Sequence, residues 1–383
     1  MNFDLSEEQL IIRDTVRKLA QKELEPVAAI NDQEEKVAEA FLEKLGGLGL
    51  MGVTMPARYG GSGAGSVALS VVLQEIARIC PATALMVSVN HLVASALFTY
   101  GTEPQKERLL IPLAGGRSLG AIAFTEPVGG SSPKVLKSFS TKNGDRYILK
   151  GSKQWVTSGS RADIILTFAH FLDRTSRKNL GLNAFLLPKN TPGLRVGTLE
   201  KKMGIRASDT AELVFEECPL TAENLLGREG EGVEVFNHAL NSGRMGVASQ
   251  CIGIGQACLD EAVAFARERL HNDQSILRHQ AVRLMLAEMA TDLEAARYLT
   301  FGASQKRDDG KEHTLEASMA KYYASEMANR VAYQSLQIHG AHGYSKDSKI
   351  ERLYRDARAT TIYEGTSEVQ KMIIAREVIK KKT

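Results

Sequence analysis

The chain has 383 residues, of which 43% are hydrophobic and 24% are charged, close to the average for a soluble globular protein. This composition excludes disordered, collagen-like and coiled-coil classes, and the length predicts two or three domains. The 48 basic and 45 acidic residues leave a net charge of +3, which is too small to favour nucleic acid or an anionic membrane as a partner.

The N-terminal residues MNFDLSEEQL are acidic where a signal or transit peptide would be basic. No apolar run approaches the roughly 20 residues that span a bilayer, so we expect no membrane span. The four cysteines, Cys80, Cys218, Cys251 and Cys258, show neither a CxxC pair nor metal-ligand spacing. We therefore expect buried, reduced thiols in a cytoplasmic protein.

Residues 1–118 have a helical pattern and form the first expected domain. Ser6 and Gln9 match the S-x-x-Q capping box that starts a helix. Residues 59–65 (YGGSGAG) have neither a following Lys-Ser/Thr nor the third glycine of G-x-G-x-x-G. A phosphate-binding loop is therefore excluded on spacing, and we expect a loop between helices.

Residues 119–230 change to short apolar runs bounded by Gly, Pro, Asn and Asp. Runs of this length and spacing predict an antiparallel sheet or barrel rather than alternating strands and helices. The predicted strands are residues 119–124, 147–149, 164–168, 184–187 and 212–215.

Residues 231–383 return to helical periodicity. Val282, Leu286, Met289, Leu293 and Ala296 recur at steps of four and three, which places them on one helix face. Four long helices fit this stretch as a bundle. The predicted fold class is therefore α+β, with a helical N-terminal domain, a middle β domain and a C-terminal four-helix bundle.

Conventional nucleophile and metal motifs are absent from the sequence. There is no GxSxG, no HExxH and no P-loop. His339 and His342 stand three residues apart, but no carboxylate or thiol accompanies them, and Gly340 and Gly343 indicate a turn. We therefore expect no metal site.

Three polar, glycine-bearing segments are more informative. They are residues 122–131 (IAFTEPVGGS), residues 151–159 (GSKQWVTSG), which hold the only tryptophan, and residues 363–368 (YEGTSE). Each alone has an ordinary structural explanation: a β-turn, a core aromatic residue and an exposed carboxylate.

In this order and separation the three segments resemble the acyl-CoA dehydrogenase family, most closely its short-chain, butyryl-type branch. The resemblance extends over nearly the whole chain. It implies FAD bound between the middle domain and the bundle, in a homotetramer (a dimer of dimers) whose neighbouring subunit completes each site. It also implies an acyl-CoA substrate and an electron-transferring flavoprotein as electron acceptor. Further matching segments are residues 5–9 (LSEEQ), 100–103 (YGTE), 202–206 (KMGIR), 225–227 (LLG), 337–340 (QIHG) and 374–376 (IAR).

The resemblance implies α,β-dehydrogenation of an acyl-CoA thioester to the trans-2-enoyl-CoA. Glu364 matches the family's catalytic carboxylate, which takes the α-proton while flavin N5 accepts the β-hydride. Desolvation would raise the pKa of this carboxyl group toward that of the polarised substrate. In the family the backbone N–H of this glutamate and a ribityl hydroxyl hold the thioester oxygen. Gly365 would let the chain pass close to the thioester.

The resemblance further implies three sets of FAD contacts and one set of substrate contacts. The set around the isoalloxazine ring and the adjoining loop is Phe124, Thr125, Gly130, Ser131, Trp155, Val156 and Thr157. The set at the diphosphate and adenosine end is Thr366, Ser367 and Glu368. The set that reaches the FAD of a partner subunit is Arg269, Gln280, Gln337, Gly340 and Ala341. The substrate contacts are Ser131, Asn241, Arg244 and Gly365.

The sequence departs from the family pattern at four places. Relatives usually carry Gln-Phe-Gly where this chain has residues 271–273 (HND), and Asp where it has residues 132–133 (SP). Asn241 replaces a usual Asp, and His339 occupies a position that is often aliphatic or aromatic. We expect a retained FAD site with altered contacts at its adenosine end.

Two alternatives stay open at this stage. The substrate can be a branched, cyclic or dicarboxylic acyl-CoA, or the flavin can be reoxidised by oxygen. The chain can also be a non-catalytic scaffold that binds acyl-CoA or flavin, although a scaffold has no need of Glu364 as a base.

Overall fold

The computed structural model describes residues 4–380, in which a helical block, a sheet and a second helical block follow one another. The N-terminal helices are α1 (Glu7–Leu19), α2 (Glu25–Glu34), α3 (Glu39–Gly47), α4 (Gly65–Ala77), α5 (Pro81–Tyr100), α6 (Glu103–Gln105) and α7 (Ile111–Ala114). The strands of the sheet are β1 (Gly120–Ala123), β2 (Phe139–Asn143), β3 (Arg146–Thr157), β4 (Ile164–Leu172), β5 (Asn179–Pro188), β6 (Leu194–Leu199) and β7 (Thr210–Leu220). The C-terminal elements are α8 (Gly232–Glu268), β8 (Leu270–His271), β9 (Gln274–Ser275), α9 (Gln280–Asp308), α10 (Thr314–His339), α11 (Lys349–Ala359) and α12 (Ser367–Lys380).

The capping box and the loop between helices that the sequence predicts are both present in the N-terminal block. The Ser6 hydroxyl accepts from the Gln9 backbone N–H at 3.2 Å, and the Gln9 side chain accepts from the Ser6 backbone N–H at 3.0 Å. This is the expected capping box at the start of α1. Within the glycine-rich stretch, residues 60–64 form the loop that leads into α4. All four cysteines are buried and unpaired.

Helix α5 corrects the expectation that no apolar run has the length of a membrane span. Its 20 residues have a window of mean hydropathy 1.5, enough to cross a bilayer by length and composition. The sequence pattern concealed this because Ser88, Asn90 and His91 interrupt the apolar run. However, 89% of that window is buried inside the protein, so α5 is a core helix.

The middle block is a half-barrel sheet that is mostly antiparallel, as predicted. β3 pairs antiparallel with β2 and β7, β7 with β6, and β4 with β5. The sheet also contains two parallel pairs that were not predicted, β1 with β4 and β2 with β4. The sequence also missed β2 and β6, whose exposed faces break the apolar pattern.

The C-terminal block contains three long helices, α8, α9 and α10, which pack on one another, with α11 and α12 against α10. The predicted fourth long helix is therefore two shorter ones, because the loop that carries Glu364 separates α11 from α12. The predicted stripe on α9 faces the core: Met289, Leu293 and Ala296 are buried, and Val282 and Leu286 pack beside them. The domain boundaries at residues 118 and 230 stay a prediction.

A loop of the sheet docks directly onto α11. Gly204 lies so close to the Arg355 carbonyl that a Cβ at this position would overlap it. Beside it, the Ile205 backbone N–H donates to the Asp356 carboxyl group. Burial raises the pKa of Asp356 to about 7, while this hydrogen bond acts in the opposite direction. The contact holds the C-terminal end of α11, from which the Glu364 loop continues.

Candidate active site

Glu364 lies in a left-handed loop between α11 and α12. Its φ is 52°, and that of Gly365 is 87°. A non-glycine residue in this region costs about 1–3 kcal/mol and persists only where neighbours hold it. Here Gln370 Nε2 donates to the carbonyls of Glu364 at 3.0 Å and Gly365 at 3.1 Å, and Lys321 Nζ donates to Gly365 at 2.6 Å. The tertiary contacts therefore maintain the strained conformation.

The Glu364 carboxyl group is desolvated on one side. Its Oε2 atom is buried and has no hydrogen-bond partner among the residues described. Burial raises the pKa of Glu364 to about 7, although Arg244 and Lys321 lower it. A carboxyl group with this pKa is poised to accept and release a proton near neutral pH.

Gly243 on α8 provides the space for this carboxyl group. A Cβ at position 243 would overlap Glu364 Oε2 and would also come within 3.0 Å of Leu92 Cδ1. The glycine at this position therefore allows the carboxyl group to pack against α8.

We expect Gly243→Ala to reduce kcat/KM by about tenfold or more, because the added methyl group displaces the carboxyl group from its position. Steady-state kinetics with an acyl-CoA substrate, together with the FAD content of the variant, measure the effect. Gly302→Ala is a matched control, because Gly302 is also helical and a Cβ there would meet nothing within 4 Å. Equal activity of the two variants would contradict the packing argument.

Arg244 follows Gly243 and is held by neutral groups. Its guanidinium donates to Asn241 Oδ1 at 2.6 Å, and Asn241 Nδ2 donates to Thr314 Oγ1 at 2.8 Å. Arg244 Nε is buried without a partner in the described chain, and burial lowers the pKa of Arg244 to about 10. Asn241, which replaces a usual Asp, thus keeps the hydrogen bond to Arg244 without adding a negative charge.

A buried ion pair joins the first two sequence segments. Lys153 Nζ donates to Glu126 Oε1 at 2.8 Å and to the Phe124 carbonyl at 3.1 Å, and both charged side chains are buried. Next to this pair, the Gln154 backbone N–H donates to the Thr125 carbonyl at 2.7 Å. Burial lowers the pKa of Lys153 to about 8, while Glu126 raises it. The end of β1 is thereby fixed against β3.

Trp155 lies at an irregularity of β3 and projects its indole to the surface. Its φ is 60°, the register to β7 shifts beside it, and 56% of the residue is exposed. Val156 is buried below it, and Thr157 is partly exposed. An exposed indole beside a hydroxyl group suits a planar heteroaromatic ring that needs an apolar wall and a polar contact.

The loop after β1 contains the other positions of the expected ring set. A Cβ on Gly130 would overlap the Thr125 side chain, so this position requires glycine. The Phe124 side chain packs in the core with its ring centroid 4.1 Å from that of Phe236. Ser131 is exposed, and the departing residues 132–133 begin a short 3-10 helix, Pro133–Val135.

The third segment places Thr366 and Ser367 at the N-terminus of α12. Thr366 Oγ1 accepts from the Val369 backbone N–H at 3.3 Å, and Ser367 Oγ donates to Glu326 at 2.6 Å. The N-terminus of a helix attracts phosphate groups through its unpaired N–H groups and its dipole. Glu368 is exposed in the first turn, where a carboxylate suits a ribose hydroxyl better than a phosphate.

The positions expected to reach a partner's FAD are not part of the Glu364 loop. They lie at or near the ends of the long helices and are all exposed on this protomer: Arg269, Gln280, Gln337, Gly340 and Ala341.

The departing residues 271–273 form a hairpin turn between β8 and β9. Asn272 and Asp273 have φ of 50° and 60°, the left-handed pair that a two-residue type I′ turn requires. Asn and Asp tolerate this conformation better than most residues. The hairpin is therefore compatible with these residues, although no aromatic ring is present at position 272.

The packing around His339 explains how a histidine is accommodated at this position. The ring is buried, stacks on Phe265 with centroids 4.4 Å apart, and shares a 2.8 Å hydrogen bond with the Ser335 carbonyl. Within residues 4–380 no group of three or more His, Cys, Asp and Glu side chains is placed to hold a metal ion.

Sequence reasoning missed several residues that build the site. Glu126 and Lys153 lie inside the recognised segments, so their opposite charges were a usable signal. Gly243 was visible beside Arg244 but had no assigned function. Lys321 and Asp356 carry no local signal, because only the fold brings Lys321 to the Gly365 carbonyl and Asp356 to the Ile205 backbone N–H.

The residues present fit a flavin and an acyl thioester. The exposed Trp155 indole offers a face for a ring system, and the Thr366 and Ser367 hydroxyl groups lie at the start of α12. Three buried polar atoms around the Glu364 loop have no partner within residues 4–380: Glu364 Oε2, Arg244 Nε and Gln370 Oε1. Buried polar atoms are normally paired, so these atoms are available to a bound molecule.

Comparison with known proteins supports this fit. The family descriptions "Acyl-CoA dehydrogenase, N-terminal domain", "middle domain" and "C-terminal domain" match residues 6–117, 121–218 and 230–379. The chain is 41% identical over 380 residues to the mitochondrial short-chain specific acyl-CoA dehydrogenase of Mus musculus, which covers 99% of this chain and 92% of that protein.

Comparison with solved structures leads to the same family. Butyryl-CoA dehydrogenase from Megasphaera elsdenii superposes with a TM-score of 0.95 and 36% identity, over 99% of this chain and 100% of that one. A chain in the structure "Electron transferring flavoprotein of Acidaminococcus fermentans: Towards a mechanism of flavin-based electron bifurcation" has a TM-score of 0.95, 38% identity and 99% coverage of both chains. The chain therefore belongs to the acyl-CoA dehydrogenase family of FAD-dependent flavoprotein oxidoreductases.

Proposed function

We propose that the protein dehydrogenates an acyl-CoA thioester to the trans-2-enoyl-CoA, with Glu364 as the base that removes the α-proton. The observation that carries this proposal is the Glu364 carboxyl group. Its Oε2 is buried without a partner in the described chain, at a position that Gly243 keeps open. A general base needs this combination of access to the substrate and a pKa near neutrality.

The neighbouring backbone supplies the second requirement, stabilisation of negative charge on the thioester oxygen. The Glu364 backbone N–H makes no hydrogen bond within residues 4–380, so it is available to this oxygen. One such donor contributes about 3–4 kcal/mol to the stabilisation of a developing oxyanion. When bound, FAD supplies the hydride acceptor for the β-carbon.

The remaining contacts divide between cofactor and substrate. Trp155 and Thr157 would hold the flavin ring, with Val156 behind them, and Thr366 and Ser367 would hold the diphosphate. Glu368 would bind the adenosine end, and Gly130 and Ser131 would approach the phosphates or the substrate. Because the Phe124 ring is packed in the core, Phe124 would contribute through its backbone beside Thr125. On the substrate side, Arg244 and Asn241 would lie near the CoA moiety, and Gly365 near the thioester.

The proposed assembly is a cytoplasmic homotetramer, a dimer of dimers, that passes electrons to an electron-transferring flavoprotein. The exposure of Arg269, Gln280, Gln337, Gly340 and Ala341 supports contacts to a partner's FAD. The similarity to a chain in a structure named for such a flavoprotein supports the electron acceptor. A short acyl chain is proposed because the short-chain enzyme of Mus musculus is similar over almost the full length.

An anaerobic panel of acyl-CoA thioesters tests the proposal. The purified flavoprotein is mixed with short linear, branched, cyclic and dicarboxylic acyl-CoA compounds, and bleaching of the oxidised flavin is followed. We expect fast bleaching with a short linear compound. Preference for another acyl group would correct the substrate, and bleaching with none would favour a non-catalytic scaffold.

The same reduced enzyme identifies the electron acceptor. Admitting air or adding an electron-transferring flavoprotein shows which of them reoxidises the flavin at the rate of turnover. Stable, colourless apoprotein that ignores added FAD would contradict the retained cofactor site.

A further inference from the structure

A buried lysine lies directly behind the Glu364 loop. Lys321, on α10, is fully excluded from solvent, and its Nζ donates to the Gly365 carbonyl at 2.6 Å. No carboxylate in residues 4–380 lies within salt-bridge distance of this ammonium group. A buried charge without an ion-pair partner is costly, so its position beside a proposed base requires an explanation.

We propose that Lys321 is a positioning residue for Glu364, which pins the Gly365 carbonyl and favours the ionised form of the neighbouring carboxyl group. This inference rests on the proposed function. The pinning follows from geometry, because in the described part of the chain Lys321 and Gln370 are the two side chains that donate to the Gly365 carbonyl. Without these donors, the left-handed Glu364 and Gly365 can relax and move the carboxyl group.

The second effect is electrostatic. A nearby cation favours the charged form of a carboxyl group, and Arg244 and Lys321 are the two cations that lower the pKa of Glu364 against the effect of burial. Burial lowers the pKa of Lys321 itself to about 8, so the lysine stays mostly protonated at pH 7. The charged and titratable side chains facing this pair are Arg244 and Cys251 on α8, Glu326 on α10, Tyr363 in the loop, and Glu368 and Arg376 on α12.

The charge of Lys321 affects the pH at which kcat/KM declines. The base acts as a carboxylate, so kcat/KM declines as the pH falls through the pKa of Glu364, about 7 in this structure. Removing the lysine charge raises this pKa further. The decline then begins at a higher pH.

Two variants of the FAD-loaded enzyme separate the two effects. Lys321→Met removes the charge and the donor, whereas Lys321→Gln removes the charge and keeps a donor. We expect the acidic limb of the kcat/KM profile to move up by roughly one pH unit in both variants. Above this limb, Lys321→Gln should approach the wild-type value and Lys321→Met should stay about tenfold lower.

Lys306→Gln is the control, since Lys306 pairs with Glu316 on a partly exposed surface, and its profile should superimpose on that of the wild type. A readout independent of turnover is the infrared band of the protonated Glu364 carboxyl group, identified as the band absent from Glu364→Gln. Its titration midpoint should rise in both Lys321 variants. FAD content and thermal unfolding show that the variants are folded.

Unshifted pH profiles and infrared midpoints in folded Lys321→Met and Lys321→Gln would overturn the inference. If both variants lose FAD, Lys321→Arg decides: a wild-type midpoint supports the role of the charge, and a raised midpoint overturns it. These results are distinct from failure of the proposed function, for which Glu364→Gln would retain wild-type turnover.

Discussion

Glu364→Gln is expected to abolish dehydrogenation while the protein still binds FAD and acyl-CoA. The amide occupies nearly the same volume beside Gly243 but cannot accept the α-proton. A general base typically contributes 10²- to 10⁴-fold, and we expect a loss near the upper end, on the order of 10⁴-fold or about 5 kcal/mol in the activation barrier. Single-turnover reduction of the flavin by the preferred acyl-CoA measures this step directly.

Glu216→Gln is the control for this substitution. Glu216 is an exposed glutamate on β7 that pairs with Arg195, so its neutralisation should leave flavin reduction unchanged. Measured dissociation constants for FAD and a substrate analogue show whether Glu364→Gln still binds both. Retained turnover in a variant that binds normally would remove Glu364 from the mechanism.

Among the substitutions proposed for this protein, Lys153→Met is expected to cause the largest loss of stability. It leaves the Glu126 carboxylate buried without its cation, although the backbone N–H groups of Lys137 at 2.5 Å and Ser138 at 3.0 Å still donate to it. Breaking a buried ion pair by removing one partner costs about 3–5 kcal/mol, because the remaining charge is not compensated. Since the pair also joins the Thr125 loop to β3, FAD affinity should fall as well.

The shift of the thermal unfolding midpoint, with and without added FAD, measures this effect. Lys150→Met on the same strand is a matched control, because Lys150 forms an exposed ion pair with Glu217. It should change the midpoint little. The double variant Lys153→Met/Glu126→Gln should recover part of the loss, because no buried charge remains without a partner. A midpoint of Lys153→Met equal to that of the control would show that the pair does not stabilise the fold.

The order of the three blocks could be predicted from the sequence, because the apolar pattern changes from helical to strand-like and back to helical. Helix α9 follows the predicted stripe because its apolar side chains repeat at the helical period. Strand β3 was recognised only at residues 147–149, although it extends from Arg146 to Thr157. Its two irregularities in register break the alternation that would have revealed the rest.

The sequence by itself determined the family, the order of the blocks and Glu364 as the candidate base, because these depend on residue types at fixed separations along the chain. Only the tertiary structure decided how Glu364 is held and how acidic it is. Gly243 on α8, Lys321 on α10 and Gln370 on α12 surround it from distant parts of the chain. The pKa of a carboxyl group depends on the solvent and charges within a few ångströms, and these neighbours are set by packing rather than by local sequence.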